Sequence, residues 1–103
     1  MTRMAIVYEV NLDVDAAVET AYRAWLRAHV DAILALPGFL DAQVFDVQEP
    51  AATPGRLALC VQYRLRDETA LQAYFDQHAA RLREDGMARF GGQFNASRRV
   101  LRG

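Results

Sequence analysis

Ala24-Trp25-Leu26-Arg27-Ala28-His29 is answered in the second half of the chain by Ala73-Tyr74-Phe75-Asp76-Gln77-His78. Each segment carries aromatics and a histidine at helical spacing, and each lies between two runs of alternating apolar residues. Before the first, Ile6, Tyr8, Val10 and Leu12 alternate with Val7, Glu9 and Asn11, the period of two of a strand that begins near Met4. Asp13 and Asp15 then offer N-caps. Val18, Tyr22, Trp25, Leu26, His29, Ile33 and Leu36 recur at steps of three and four, which predicts a helix ended by Pro37-Gly38. A second strand runs from Phe39 to Glu49, and Pro50 to Gly55 reads as a hairpin connection. The third strand, Arg56 to Arg66, alternates most cleanly, and Asp67 caps a second helix whose stripe is Leu71, Tyr74, Phe75, His78 and Leu82. Gly86 either ends that helix in a left-handed cap or lies within its continuation, and Gly91-Gly92 turns into a fourth strand, Gln93 to Arg102.

Two βαβ halves joined by a hairpin define an α+β, ferredoxin-like βαββαβ fold over residues 1–103, a single domain. Right-handed crossovers make the first and third strands central and place both helices on one face of a four-stranded antiparallel sheet. The helix-facing set includes Ile6, Tyr8, Leu40, Val44, Val61 and Val100. The opposite face mixes apolar with hydrogen-bonding residues, too apolar to be fully wet and too polar to be a dry core. Such a face meets another protein surface or encloses a small cavity.

The 103 residues are 52% apolar and 24% charged, the balance of an ordinary globular domain. A net charge of −1 gives no electrostatic case for nucleic acid or membrane surfaces as partners. Neither a signal-peptide core nor a membrane-spanning stretch is present, so a cytoplasmic location is expected. Cys60 is alone and sits in an apolar run, where a small hydrophobe is expected rather than a nucleophile. All 12 cations are arginine, and they concentrate after residue 55, whereas acids dominate before it. The second strand carries Asp41, Asp46 and Glu49, and the fourth carries Arg98, Arg99 and Arg102. A two-fold axis laying the mixed faces together would set these edges against one another, which predicts a homodimer through the helix-free face.

The chemistry-bearing residues of that face are Glu9, Asn11, Gln43, Gln62, Arg64, Asn95 and Arg99. A carboxylate and guanidinium groups amid apolar neighbours suit a small polar or anionic ligand held between two sheets, with Glu9 a base if dehydration raises its pKa. The same residues also suit a satisfied interface network. His29 and His78 occupy equivalent places on the two helical stripes and are expected to pack in the core, away from any cavity. At a helix edge they would instead be acid-base candidates. No metal-ligand spacing accompanies them, and no cofactor-binding motif occurs, since Gly91-Gly92 precedes a strand rather than a helix.

The stretch His78-Ala79-Ala80-Arg81-Leu82-Arg83 with Arg89-Phe90-Gly91-Gly92 resembles the bacterial domain-of-unknown-function family 4286. So do Trp25 and His29, the Gly38-Phe39-Leu40-Asp41-Ala42 turn, and Val61-Gln62-Tyr63. The likeness spans nearly the whole chain and implies a fold without an activity. In plan it is similar to the dimeric α/β-barrel proteins, which include cofactor-independent oxygenases, isomerases and haem-degrading enzymes. The Asn, Trp and His that serve haem degradation are not matched by Asn11, Trp25 and His78 in their predicted places. Three readings follow: a homodimeric small-ligand binder, a cofactor-independent oxygenase or isomerase, and a structural or interaction module.

Overall fold

A computed structural model describes residues 6–103, so Met4, the expected start of the first strand, lies outside the described residues. Strand β1 spans Ile6–Asp15, and α1, Glu19–Leu34, follows a 3-10 turn at Ala16–Val18. Strands β2 (Phe39–Asp46) and β3 (Arg56–Leu65) form the hairpin, and β4 is Phe94–Arg102. The sheet order is β2-β3-β1-β4, with every neighbouring pair antiparallel. This is the ferredoxin-like α+β fold, with its helices on one face.

The caps are those that the aspartates supply. The Asp15 carboxylate accepts from the Ala17 N–H at 2.9 Å, and Asp67 accepts from the Ala70 N–H at 2.8 Å. Helix α1 stops where Gly38 turns the chain with φ +86°. A Cβ there would stand 2.2 Å from that of Ala70, so the site requires glycine twice over.

Sequence periodicity and structure part company at two places. A bulge between Phe39 and Asp41 leaves Leu40 without a partner, so Phe39 enters the core at 8% exposure while Leu40 is 52% exposed. The expected burial of Leu40 is thereby corrected: one inserted residue moves it out of the alternation. Val44 and Val100 keep the helix-facing parity but lie on edge strands and stay exposed. The second helix, expected as one piece, is two, α2 (Glu68–Gln77) and α3 (Ala79–Phe90), because His78 leaves helical geometry at φ −131° and ψ −32°. Gly86 does not end the helix but lies buried within α3.

The core joins Tyr22, Leu26 and Ile33 of α1 and Leu71 and Leu82 of the later helices to Ile6, Leu59 and Val61 of the sheet. Trp25 and Phe75 pack against it partly buried. Trp25 meets Tyr22 and Phe90 at ring distances of 5.5 and 5.9 Å, and its indole covers Gly86 so closely that a Cβ there would stand 2.9 Å from the Cη2 atom.

Replacing Gly86 by Val raises local helix propensity, so any loss of stability reports the packing against Trp25. Gly86→Val is expected to cost about 1–3 kcal/mol. Urea unfolding followed by the fluorescence of Trp25, the chain's sole tryptophan, measures it. Unchanged or increased stability would show that the indole moves aside freely.

Candidate functional site

On the helix-free face, strand pairing sets Glu9 of β1 directly between Gln62 of β3 and Arg99 of β4. The carboxylate accepts from Arg99 Nε at 2.7 Å, Asn11 Nδ2 at 2.9 Å and Gln62 Nε2 at 3.0 Å. Glu9 is 3% exposed although its face is open, because these side chains lie over it as a single layer. The Arg99 hydrogen bond, then those of Asn11 and Gln62, hold its carboxyl well down, from an ordinary 4.5 to about 2, and outweigh the opposing effect of burial. Glu9 is therefore a fixed anion, and the raised pKa that would make it a base is not found. Burial and then the Glu9 charge push the neighbouring Cys60 thiol up, away from a reactive thiolate. Cys60 itself is half-buried on this face rather than in the core.

The rest of the predicted set is more dispersed. Arg64 grips Asp41, with Nε 3.1 Å from Oδ2, and Gln43 lies opposite Gln62. These residues line a shallow depression near the β2 edge. Asn95 is paired with Asp13 at the far end of β1 and exposed. Glu9, Asn11, Gln62 and Arg99 thus form one network, whereas Arg64, Gln43 and Asn95 stand apart from it. Most of the acidic and basic strand-edge charges are also engaged within the chain: Asp46 pairs with Arg23 at 3.0 Å, Asp41 with Arg64, and Arg102 with Glu68, whereas Glu49 and Arg98 form no ion pair among the described residues.

The other face holds a feature that the sequence does not announce. Between sheet and helices lies a cavity of about 430 Å³. Tyr8 and Val10 of β1 and Val61 and Tyr63 of β3 line it from the sheet, Trp25 and His29 from α1, and Leu82 and Gly86 from α3. Its exposed lining residues, Arg83, Met87, Gly92, Asn95 and Arg98, mark the rim, so Asn95, expected on the helix-free face, also borders this cavity. Tyr8 and Tyr63 stack at 5.8 Å, so much of the wall is aromatic. Tyr22 is wholly buried there, and its hydroxyl has no hydrogen-bond partner among the described residues. Burial pushes the Tyr22 and Tyr74 hydroxyls up to about 12, so both are neutral donors at ordinary pH.

His29 belongs to this cavity, which corrects the expectation that it lies away from one. Its ring stacks on Trp25 at 4.6 Å and 24°. Burial lowers its pKa from 6.5, against a raising influence from Asp85, so the imidazole is neutral at pH 7. Trp25 Nε1–H donates to Asp85 Oδ2 at 2.7 Å, and Arg89 Nε holds the other oxygen at 3.3 Å. His78 is placed differently, at the α2–α3 junction, where Nδ1 accepts from Arg81 Nη2 at 3.0 Å. A guanidinium only donates, so in that contact Nδ1 is the acceptor. Tyr22, Arg83 and Arg98 are the cavity residues that sequence reasoning passed over. For Arg98 a signal existed, since it shares the parity of Ala96 and Val100 on β4.

No helix is long and apolar enough to cross a membrane, and among the described residues no group of three or more His, Cys, Asp or Glu is placed to hold a metal ion.

The fold is a ferredoxin-like α+β fold, the dimeric α/β-barrel plan that solved structures described as antibiotic biosynthesis monooxygenases also have. The chain belongs to the family described as a domain of unknown function, DUF4286, whose model matches residues 5–103. No curated protein sequence matches it. Among solved structures it is similar to SnoaB, a cofactor-independent oxygenase from Streptomyces nogalater, at 10% identity and a TM-score of 0.68, covering 93% of this chain and 90% of that one. A Deinococcus radiodurans protein provisionally described as an antibiotic biosynthesis monooxygenase has 12% identity and a TM-score of 0.68, with 95% and 89% covered. The de novo designed protein Foldit4 is similar to the same degree, at 12% identity, a TM-score of 0.67, and 94% and 96% covered. An invented sequence shares this backbone with an oxygenase, so the likeness establishes fold alone.

The Glu9 network sets a pH dependence with a definite sign. A carboxyl lowered by folding contributes stability that is fully present above its ordinary 4.5 and lost as pH falls toward about 2. Carbon-13 NMR of the Glu9 carboxyl is expected to give a midpoint near 2, moving up toward 4.5 in Arg99→Gln. A wild-type midpoint at the ordinary value would dissolve the network.

Proposed function

We propose that this protein binds a small, largely apolar organic molecule within each subunit, in the cavity between the sheet and its helices. The observation that carries the reading is the cavity itself: about 430 Å³, within the range of roughly 300–1,000 Å³ that holds small ligands, and walled by aromatic and aliphatic side chains from both layers. The unpartnered Tyr22 hydroxyl and the neutral imidazole of His29 add a few polar groups among apolar ones, the composition that orients a bound molecule. The helix-free face, where a ligand between two sheets was expected, offers less, because Glu9 is already satisfied by its own chain.

The reading is checked with a neutral probe, 2-naphthalenemethanol, titrated while the indole N–H resonance of Trp25 and the ring protons of His29 are followed. Saturable shifts of both are expected, and Val10→Phe, which places a ring in the cavity, should weaken binding at least tenfold. Absence of saturable shifts in the folded wild-type protein would reject the cavity as a site.

We also propose that the helix-free face is a homodimer interface. Phe45 is 40% exposed there, and Val7 and Leu101 lie on the same side of the sheet, around a Glu9 network that needs no water. Because most of the strand-edge charges are engaged within the chain, this dimer rests on the apolar residues of the face rather than on edge pairing. Burial of more than about 1,200 Å² in total is expected. Sedimentation at micromolar concentration should give twice 11.6 kDa, and Phe45→Glu should shift it to monomer. A wild-type protein that sediments as monomer under those conditions has no such interface.

A further inference from the structure

We infer that the molecule taken up by the cavity is a planar aromatic anion, an aryl carboxylate in its simplest form, whose acidic group is held at the rim by Arg98 and Arg83. This rests on the cavity as a binding site and specifies what that site selects.

Charge decides the first half. The residues that line the cavity include two arginines and not one aspartate or glutamate. Seven other arginines, from Arg23 and Arg56 to Arg99 and Arg102, are ion-paired among the described residues. Neither Arg83 nor Arg98 has such a partner among the described residues. Asp85, whose charge is felt by His29, is already engaged by Trp25 and Arg89. Arg27 and Arg81 also lack an acid among the described residues, but Arg27 lies along a separate groove on α1 and Arg81 contacts His78, so it is the presence of two unpaired guanidinium groups on one cavity that carries weight. Arg98 sits on β4 opposite Val10, on the helix-facing side of an edge strand, and its charge is felt by Tyr22, His29 and Tyr74 within the site. Guanidinium groups recognise carboxylates through paired N–H donors.

Shape decides the second half. The Tyr8–Tyr63 stack and the Trp25–His29 stack supply flat faces, and such faces favour a planar ring. A slab with one anionic end matches a cavity that is aromatic within and cationic at its rim.

Calorimetry with two probes of equal ring size, 2-naphthoate and neutral 2-naphthalenemethanol, separates this inference from the reading beneath it. The folded wild-type protein is expected to bind naphthoate at least tenfold more tightly, with the preference shrinking as salt rises. In Arg98→Gln the two probes should bind within about twofold, and Arg83→Gln should lower the preference in part. Both side chains are exposed, and circular dichroism confirms that the variants fold. Equal binding of the probes by wild type overturns the anion and leaves the cavity standing. Binding of neither removes both. A naphthoate preference that persists in the double variant Arg83→Gln/Arg98→Gln overturns the assignment to these arginines.

Discussion

The contact between Trp25 and Gly86 is the constraint on which the arrangement of the helical layer depends. It joins α1 of the first half to α3 of the second, with the indole resting where a side chain would otherwise stand and its N–H tied to Asp85 one residue before. A larger residue at Gly86 would have to displace the indole. A smaller one at Trp25 would remove the stacking partner of His29. Trp25, His29 and Gly86 all line the cavity, so the contact that holds two helices together also shapes the space beneath them.

The pleat of the sheet divides the chemistry of the two faces. Arg98 and Arg99 are adjacent in sequence and opposite in role: Arg99 turns to the helix-free face and neutralises Glu9, whereas Arg98 turns to the helices and reaches the cavity rim unpaired. On the first face a carboxylate receives three hydrogen bonds and is spent. On the second, a tyrosine hydroxyl lacks a hydrogen-bond partner and two guanidinium groups lack an acid among the described residues. Unsatisfied polar groups in a space large enough for a ligand mark a place where chemistry is still available, and satisfied ones mark structure.

Much of the fold is legible along the chain because its signals are local. The alternation of Leu57, Leu59, Val61, Tyr63 and Leu65, the caps at Asp15 and Asp67, and the stop at Pro37-Gly38 each depend on near neighbours. The network around Glu9 was legible too, since strand parity alone puts Asn11, Gln62 and Arg99 on its side. Less legible were the bulge at Leu40 and the break at His78. Each arises from how an element must be placed against others, which leaves no mark in a hydrophobic period.

The order of the elements, the sheet topology and the two faces of each strand are written in local patterns, because periodicity and turn chemistry act over a few residues. Where space remains in the interior is settled only when the layers come together. His29 looks like a core residue on a helical stripe, and Tyr22, Trp25 and Val10 look like its packing partners. Whether such a stripe closes against the sheet or stands away from it depends on the volumes of side chains brought together from distant positions, Gly86 and Ala96 among them. A cavity is the part of the interior that those volumes fail to fill, and that difference is fixed by the whole assembly of layers rather than by any stretch of the chain.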